Sequence, residues 1–153
     1  MRPTPSCEIY IDGASRGNPG PAGIGVVFIE PSPRSARAVI PIRQFSKSLG
    51  ETTNNVAEYQ ALICALQEAS RHGYQTLVIK SDSELLVRQM SGRYKVRNPS
   101  LQLLHHTAVV LTRNFQHCSI RHIPREQNAR ADRLAGHAAD HQPPSSAALS
   151  DGS

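Results

Sequence analysis

The chain lacks the marks of a membrane protein, a disulfide scaffold or an enzyme with a protein nucleophile. Its longest apolar runs, such as Ile24 to Ile29 and Leu77 to Ile79, are far too short to span a bilayer, and the N-terminus has no signal-peptide pattern. The expectation is a soluble cytoplasmic protein with no membrane partner. Cysteine is scarce: Cys7, Cys64 and Cys118 form no CxxC pair, which argues against a disulfide framework or a cysteine zinc site and suits small core residues. There is no GxSxG, no HExxH and no GxxxxGK[ST], and the glycine-rich GASRGNPG lacks the lysine of a phosphate-cradling loop. Acids are fewer than bases, 12 Asp and Glu against 17 Lys and Arg, for a formal charge of +5 and a pI near 9.5. That balance leans towards a polyanionic partner, although a solvated basic surface would produce it equally well.

At 153 residues the chain has the length of one domain with one core. Residues 1–6 and the Pro/Ser/Ala-rich tail 142–153 carry no periodic apolar pattern, so the expectation is a domain over 7–141 between disordered ends. Cys7, Ile9 and Ile11 alternate with Glu8 and Tyr10 as in a half-buried strand, which Asp12 ends. GASRGNPGPAG reads as a turn, Ile24 to Ile29 as the return strand, and Ala38 to Phe45 as a third strand whose Pro41 suggests an edge. From Thr53 to His72 the period is helical, with Gly73 as the stop. Thr76 to Ser81 and Phe115 to Ile123 are strands; Ser83 to Met90, Pro99 to Arg113 and Asn128 to about Ala139 are helices. The order βββαβααβα predicts an α/β domain with one mixed five-stranded sheet, an antiparallel meander plus parallel strands, and helices packed on it.

Aspartate occurs only five times, and three of the five stand where an element begins or ends. Asp12 follows one apolar strand and Asp82 follows another, so two strand ends present acids. Glu58 shares a helix face with Leu62, Ala65 and Ala69, and a carboxylate on that face is costly unless paired or bound to a cation. Asp132 lines up with Ala135, Gly136 and Ala139, small residues that let the last helix approach the sheet closely. Each acid alone has a plainer explanation. Asp82 fits a helix cap within an S-x-x-E box, Asp12 an Asp-Gly turn, Asp132 a pair with Arg130 or Arg133, and Glu58 a pair with a buried arginine. Four acids converging at one sheet end would repel one another without cations, and hard oxygen ligands suit Mg²⁺ or Mn²⁺. An open cluster of this kind fits two-metal hydrolysis of a phosphodiester, which requires no protein nucleophile.

Four segments in order, YIDGASRGNPGPAG, TTNNVAEYQAL, IKSDSELLV and NARADRLA, resemble the acid-bearing segments of the type 1 ribonuclease H family over roughly Glu8 to Ala139. The resemblance implies a ribonuclease H-like fold and endonucleolytic cleavage of the RNA strand of RNA/DNA hybrids, leaving 5′-phosphate and 3′-hydroxyl ends. It implies that Asp12, Glu58, Asp82 and Asp132 are the catalytic carboxylates holding two ions of Mg²⁺ or Mn²⁺, with Glu58 also near the RNA ribose. By the same resemblance Gly13, Ala14 and Ser15 face RNA, Asn18, Asn54 and Asn55 contact hybrid backbone or bases, Thr53 holds a DNA phosphate, and Glu84 contacts RNA. Such contacts recognise shape and the 2′-hydroxyl rather than sequence. Asn54 and Asn55 also suit helix caps, and Asn18 a turn.

The chain departs from the family in two places. Many members carry a flexible histidine on a loop before the last acid, whereas HIPREQNARAD offers His122, inside the expected strand, and Arg125, a cation able to reach the scissile phosphate but not to act as a base. Many also carry a basic protrusion between the middle helices, but SGRYKVRNP contributes only Arg93, Lys95 and Arg97, so this form lacks it and its affinity for hybrid should depend strongly on salt. The readings to be separated are a monomeric hybrid-specific nuclease, a catalytically silent hybrid-binding module, and a related superfamily nuclease acting on DNA or double-stranded RNA. A domain detached from a longer protein also fits the sequence, although the tail reads as a natural end.

Overall fold

In a computed structural model, residues 6–30 and 41–143 are described. The expected head and tail lie outside this range apart from Ser6, Gln142 and Pro143, as do the first three residues of the expected third strand. Five strands form one sheet in the order β3-β2-β1-β4-β5: β1 (Ser6–Ser15), β2 (Gly20–Ile29), β3 (Pro41–Thr52), β4 (Thr76–Ser81) and β5 (His117–His122). β1 pairs antiparallel with β2, and β2 with β3, while β1 with β4 and β4 with β5 run parallel. The helices are α1 (Asn54–Arg71), α2 (Glu84–Met90), α3 (Pro99–Thr112) and α4 (Ala129–Asp140), with a short 3₁₀ turn over Arg125–Gln127 before α4. The predicted element order and mixed sheet are therefore found, with β3 on an edge.

Several boundaries differ from the sequence reading, the largest at β3, which runs on to Thr52, well past the expected end at Phe45. Asp12 does not end β1; the strand continues to Ser15, which pairs with Ala22 on a β2 that begins at Gly20. The glycine-rich segment is thus mostly strand, and its turn is confined to residues 16–19. Gln142, assigned to the tail, is fixed at the end of α4: its Nε2 donates to the carbonyls of Ala22, Ala138 and Ala139, and its Oε1 accepts from the Gly50 N–H.

Helix α1 begins where the Thr53 hydroxyl accepts from the Val56 N–H, and stops before Gly73, whose φ of 76° suits glycine. Its buried face, including Ala57, Tyr59, Leu62, Leu66 and Ala69, covers the sheet face formed by Cys7, Ile9 and Ile11 on β1, Ile24, Val26 and Phe28 on β2, and Leu77 and Ile79 on β4. Tyr59 donates to Gln89 Oε1 at 2.6 Å, tying α2 to α1. Helix α4 packs on the other face, against β2, β1 and β3, with Ala131, Ala135, Ala138 and Ala139 buried. This contact is close because β2 presents glycine there: a Cβ on Gly25 would lie 2.2 Å from the Ala131 carbonyl oxygen, and one on Gly23 2.5 Å from Ala138 Cβ.

A methyl at Gly25 cannot be accommodated by moving a flexible side chain. Gly25→Ala should therefore cost about 1–3 kcal/mol in urea-unfolding experiments, the usual penalty of an overpacked core. Gly136, by contrast, faces only Arg16 Nη2, at 2.9 Å from an added Cβ, and sits in a helix where alanine is favoured by roughly 1 kcal/mol. Gly136→Ala should be neutral or stabilising, and equal destabilisation by both changes would contradict this account of the α4 contact.

Candidate active site

The parallel pairing of β1 with β4 ends at Ile11 and Ser81, so the next residues, Asp12 and Asp82, emerge side by side at one end of the sheet. Glu58 reaches the same place from α1. Gly13 makes that possible: a Cβ there would stand 2.3 Å from the Ala57 carbonyl carbon, and its N–H donates to Glu58 Oε1 at 2.8 Å. Asp12, Glu58 and Asp82 each offer an oxygen within 4.8 Å of the others. Asp12 and Glu58 are 4% and 5% exposed. Asp132, more open at 38%, stands beside Asp12 from the first turns of α4.

This crowding is expressed in protonation. Burial first, then the charges of Glu58 and Asp82, push the Asp12 carboxyl far above the ordinary carboxylate range. Burial likewise raises Glu58, opposed by the Gly13 N–H and reinforced by Asp82. The plainer explanations of Asp82 and Glu58 do not hold, and that of Asp132 holds only with a different arginine. Ser83 caps α2 by accepting from the Leu86 N–H, and Ser81 Oγ accepts from the Ser83 N–H, so Asp82 is not the cap. Glu58 has no arginine partner among the described residues, and Asp132 faces Arg125, whose Nη2 is 3.7 Å from its Oδ1, rather than Arg130 or Arg133. Asp12, Glu58 and Asp82 are thus hard oxygen donors with no cationic side-chain partner among the described residues, which fits a divalent cation.

One residue that the sequence reading passed over organises the group. Asn128, 1% exposed, donates from Nδ2 to the Ile11 carbonyl at 2.8 Å and to Asp82 Oδ2 at 3.2 Å. It occupies the N-cap position of α4, yet its side chain makes no capping bond. Its amide instead joins β1, the Asp82 carboxylate and the start of the Asp132 helix. Reversing the amide would set its oxygen against a carbonyl and a carboxylate, so the hydrogen-bond network fixes its orientation. An asparagine at an N-cap position looks in sequence like an ordinary cap.

Above the acids lies an open cavity of about 950 Å³ whose lining includes Asp12, Gly13, Ala14, Ser15, Asn54, Glu58, Asp82, Arg125 and Asp132. The other expected site residues do not line it. Thr53 spends its hydroxyl on the cap of α1, Asn18 Oδ1 accepts from the Asn54 N–H at 3.1 Å, and Asn55 is exposed alongside. The Glu84 carboxylate pairs with Arg88, and His122 stands exposed at the end of β5.

A mixed five-stranded sheet presenting an acid cluster at one end defines the ribonuclease H fold. A family model described as reverse transcriptase-like matches residues 10–138. A ribonuclease H1 from Halobacterium salinarum superposes with a TM-score of 0.81 at 38% identity, covering 88% of this chain and 98% of that one. The N-terminal RNase H domain of a Mycobacterium tuberculosis protein gives 0.80 at 41%, covering 88% and 99%. An LC11 ribonuclease H1 solved in complex with an RNA/DNA hybrid gives 0.78 at 42%, covering 88% and 96%. The chain belongs to the type 1 ribonuclease H family, in a form without the basic protrusion, since only residues 91–98 separate α2 from α3. The family is metal-dependent. In full length, the chain spans 38% of the curated bifunctional mycobacterial relative and 63% of the Halobacterium ribonuclease HI.

The raised carboxyls give a sign for pH dependence. Between about pH 4, where unfolded carboxyls titrate, and their raised folded values, the folded chain holds protons that the unfolded chain has released. Without divalent ions, stability should therefore fall as pH rises through that window. Asp12→Asn removes one source, so the metal-free variant should melt higher than the parent at pH 8, by about 3 °C or more, with the gap closing towards pH 5. Scanning fluorimetry reads this directly. A variant melting at or below the parent at pH 8 would show that the acids do not repel as described.

Proposed function

We propose that the chain hydrolyses the RNA strand of RNA/DNA hybrids endonucleolytically, leaving 5′-phosphate and 3′-hydroxyl ends, with Mg²⁺ or Mn²⁺ held by Asp12, Glu58, Asp82 and Asp132. The observation that carries this is the three carboxylates from β1, α1 and β4, with oxygens within 4.8 Å of one another on the floor of an open cavity. When bound, two such ions activate water and neutralise charge on the leaving 3′ oxygen. The chain's own part is to hold the acids on three rigid elements, so that little reorganisation is needed when a phosphodiester arrives.

Around them the roles divide by position. Glu58, held by the Gly13 N–H, is the acid proposed to lie near the RNA ribose. Gly13, whose N–H is committed to Glu58, lines the cavity beside Ala14, Ser15 and Asn54, which offer polar groups to sugar and phosphate without reading bases. Arg125, 80% exposed and beside Asp132, is the group proposed to reach the scissile phosphate, as a cation and not as a base. It is preferred to His122 because it lines the cavity. Asn18 supports Asn54, whereas Asn55, Thr53 and Glu84 would meet the hybrid outside the cavity. A relative solved with an RNA/DNA hybrid supports the choice of substrate. The proposal extends to a monomer acting in the cytoplasm; among the described residues no helix is long and apolar enough to cross a membrane.

The test is cleavage of end-labelled RNA/DNA, RNA/RNA and DNA/DNA duplexes in Mg²⁺, Mn²⁺ or chelator, beside Asp82→Asn. The hybrid alone should be cut, only with an added ion, and the variant should be slower by roughly 10²–10³-fold. Intact hybrid under every ion would leave a silent binding module. Equal cutting of another duplex would point to a different superfamily nuclease, and an active Asp82→Asn would refute the site.

A further inference from the structure

Helix α4 has two faces with different chemistry. One is the alanine stripe that rests on the sheet; the other carries Arg130, Arg133 and His137, at i, i+3 and i+7, all exposed and all lining the acid-bearing cavity. At 1.5 Å per residue these three span about 10 Å along the cavity wall, starting beside Asp132.

The two arginines differ from their neighbours in having no work inside the protein. Arg16 is held by Asp140, Nε to Oδ1 at 2.7 Å and Nη2 to Oδ2 at 3.0 Å, and it also closes the end of the cavity beyond His137. Arg125 stands against Asp132, Arg88 against Glu84 and Arg71 against Glu68. Neither Arg130 nor Arg133 enters an ion pair or a side-chain hydrogen bond among the described residues. They are therefore uncommitted cations on the wall of a cavity whose floor repels anions.

Uncommitted guanidinium groups beside a carboxylate floor suit an anionic chain as occupant. A phosphodiester approaching the cavity meets four carboxylates. Divalent ions can offset these at the scissile group itself but not at neighbouring phosphates. Guanidinium groups beside the acids supply that attraction, and their planar fork suits phosphate oxygens. Between α2 and α3, where a basic protrusion is missing, only eight residues remain.

We propose that Arg130 and Arg133, continued by His137, form a phosphate track on α4 that holds the sugar–phosphate backbone of the hybrid beside the scissile phosphodiester. This rests on the nuclease reading above but is testable apart from it. In steady-state cleavage of a labelled hybrid, Arg130→Ala/Arg133→Ala should raise KM about tenfold at 0.1 M salt and change kcat less than twofold. Each phosphate contact contributes about 0.7–0.9 to the slope of log affinity against log salt, so the double variant should lose roughly 1.5 of that slope. Arg130→Lys/Arg133→Lys should recover most of both effects, which a purely structural role would not predict.

A second double variant, Arg71→Ala/Arg113→Ala, removes the same net charge from exposed positions elsewhere and should leave the slope near the parent's. Fluorescence anisotropy of uncut hybrid in Ca²⁺ gives the same comparison without catalysis. If the parent binds hybrid in Ca²⁺ but cuts nothing in Mg²⁺ or Mn²⁺, the nuclease reading fails and the track is judged by binding alone. KM, Kd and slope equal to the parent's, or losses matched by the Arg71/Arg113 control, would overturn the track, as would a parent that does not bind hybrid.

Discussion

The hydrogen bond from the Gly13 N–H to Glu58 Oε1 is the contact on which the site depends. It requires α1 to lie against β1 at backbone distance, which only a residue without Cβ permits. Once α1 is seated there, Glu58 projects over the end of the sheet rather than into the apolar layer, while Leu62 and Leu66 join the core and Tyr59 reaches Gln89 on α2 and His105 on α3. The same bond lowers the cost of a buried carboxylate by satisfying one oxygen. The core and the acid cluster are thus set by one approach of helix to strand.

Helix α4 repeats the arrangement on the opposite face, with Gly23 and Gly25 in place of Gly13. Its position decides how near Asp132 comes to Asp12, and Asn128 ties its first turn to Ile11 and Asp82. The side chain that would have capped α4 holds a catalytic candidate instead, giving up a contribution usually near 1 kcal/mol. A Coulombic conflict among four acids would otherwise relax by splaying the strand ends and helices apart. Packing at three glycines and one buried amide prevents that, so the acids stay close, and burial together with the neighbouring charges raises the Asp12 and Glu58 carboxyls.

The sequence made the sheet legible because its period changes cleanly, from alternation over Cys7 to Ile11 to a helical stripe after Thr53. Glu58 was legible for a related reason, since a carboxylate among Leu62, Ala65 and Ala69 contradicts its own helix face. The end of β1 was not. Asp12 interrupts the apolar alternation, and the glycines after it look like turn residues, whereas only Gly17 and Gly20 serve the turn and Gly13 and Gly23 mark places where helices press on strands. Asn128 was hidden by resembling a cap. Arg125 could be preferred to His122 because His122 falls within the expected strand, but its place at the cavity depends on the 3₁₀ turn, which the sequence did not show.

In sequence Arg130 and Arg133 suggest only partners for Asp132, because charges on an exposed helix ordinarily face solvent without purpose. What gives these positions meaning is the alanine stripe opposite. Ala131, Ala135 and Ala138 fit only against the glycines of β2, so the rotation of α4 about its axis is fixed by packing. With that rotation fixed, Asp132 must face Asp12, and Arg133 and His137 must face the cavity. A one-residue change in this register, about 100° of rotation, would bury a charge and remove the fourth acid together. The small residues that permit close packing therefore also aim the acid and the cations, and the division between a floor of carboxylates and a wall of guanidinium groups follows from helix geometry.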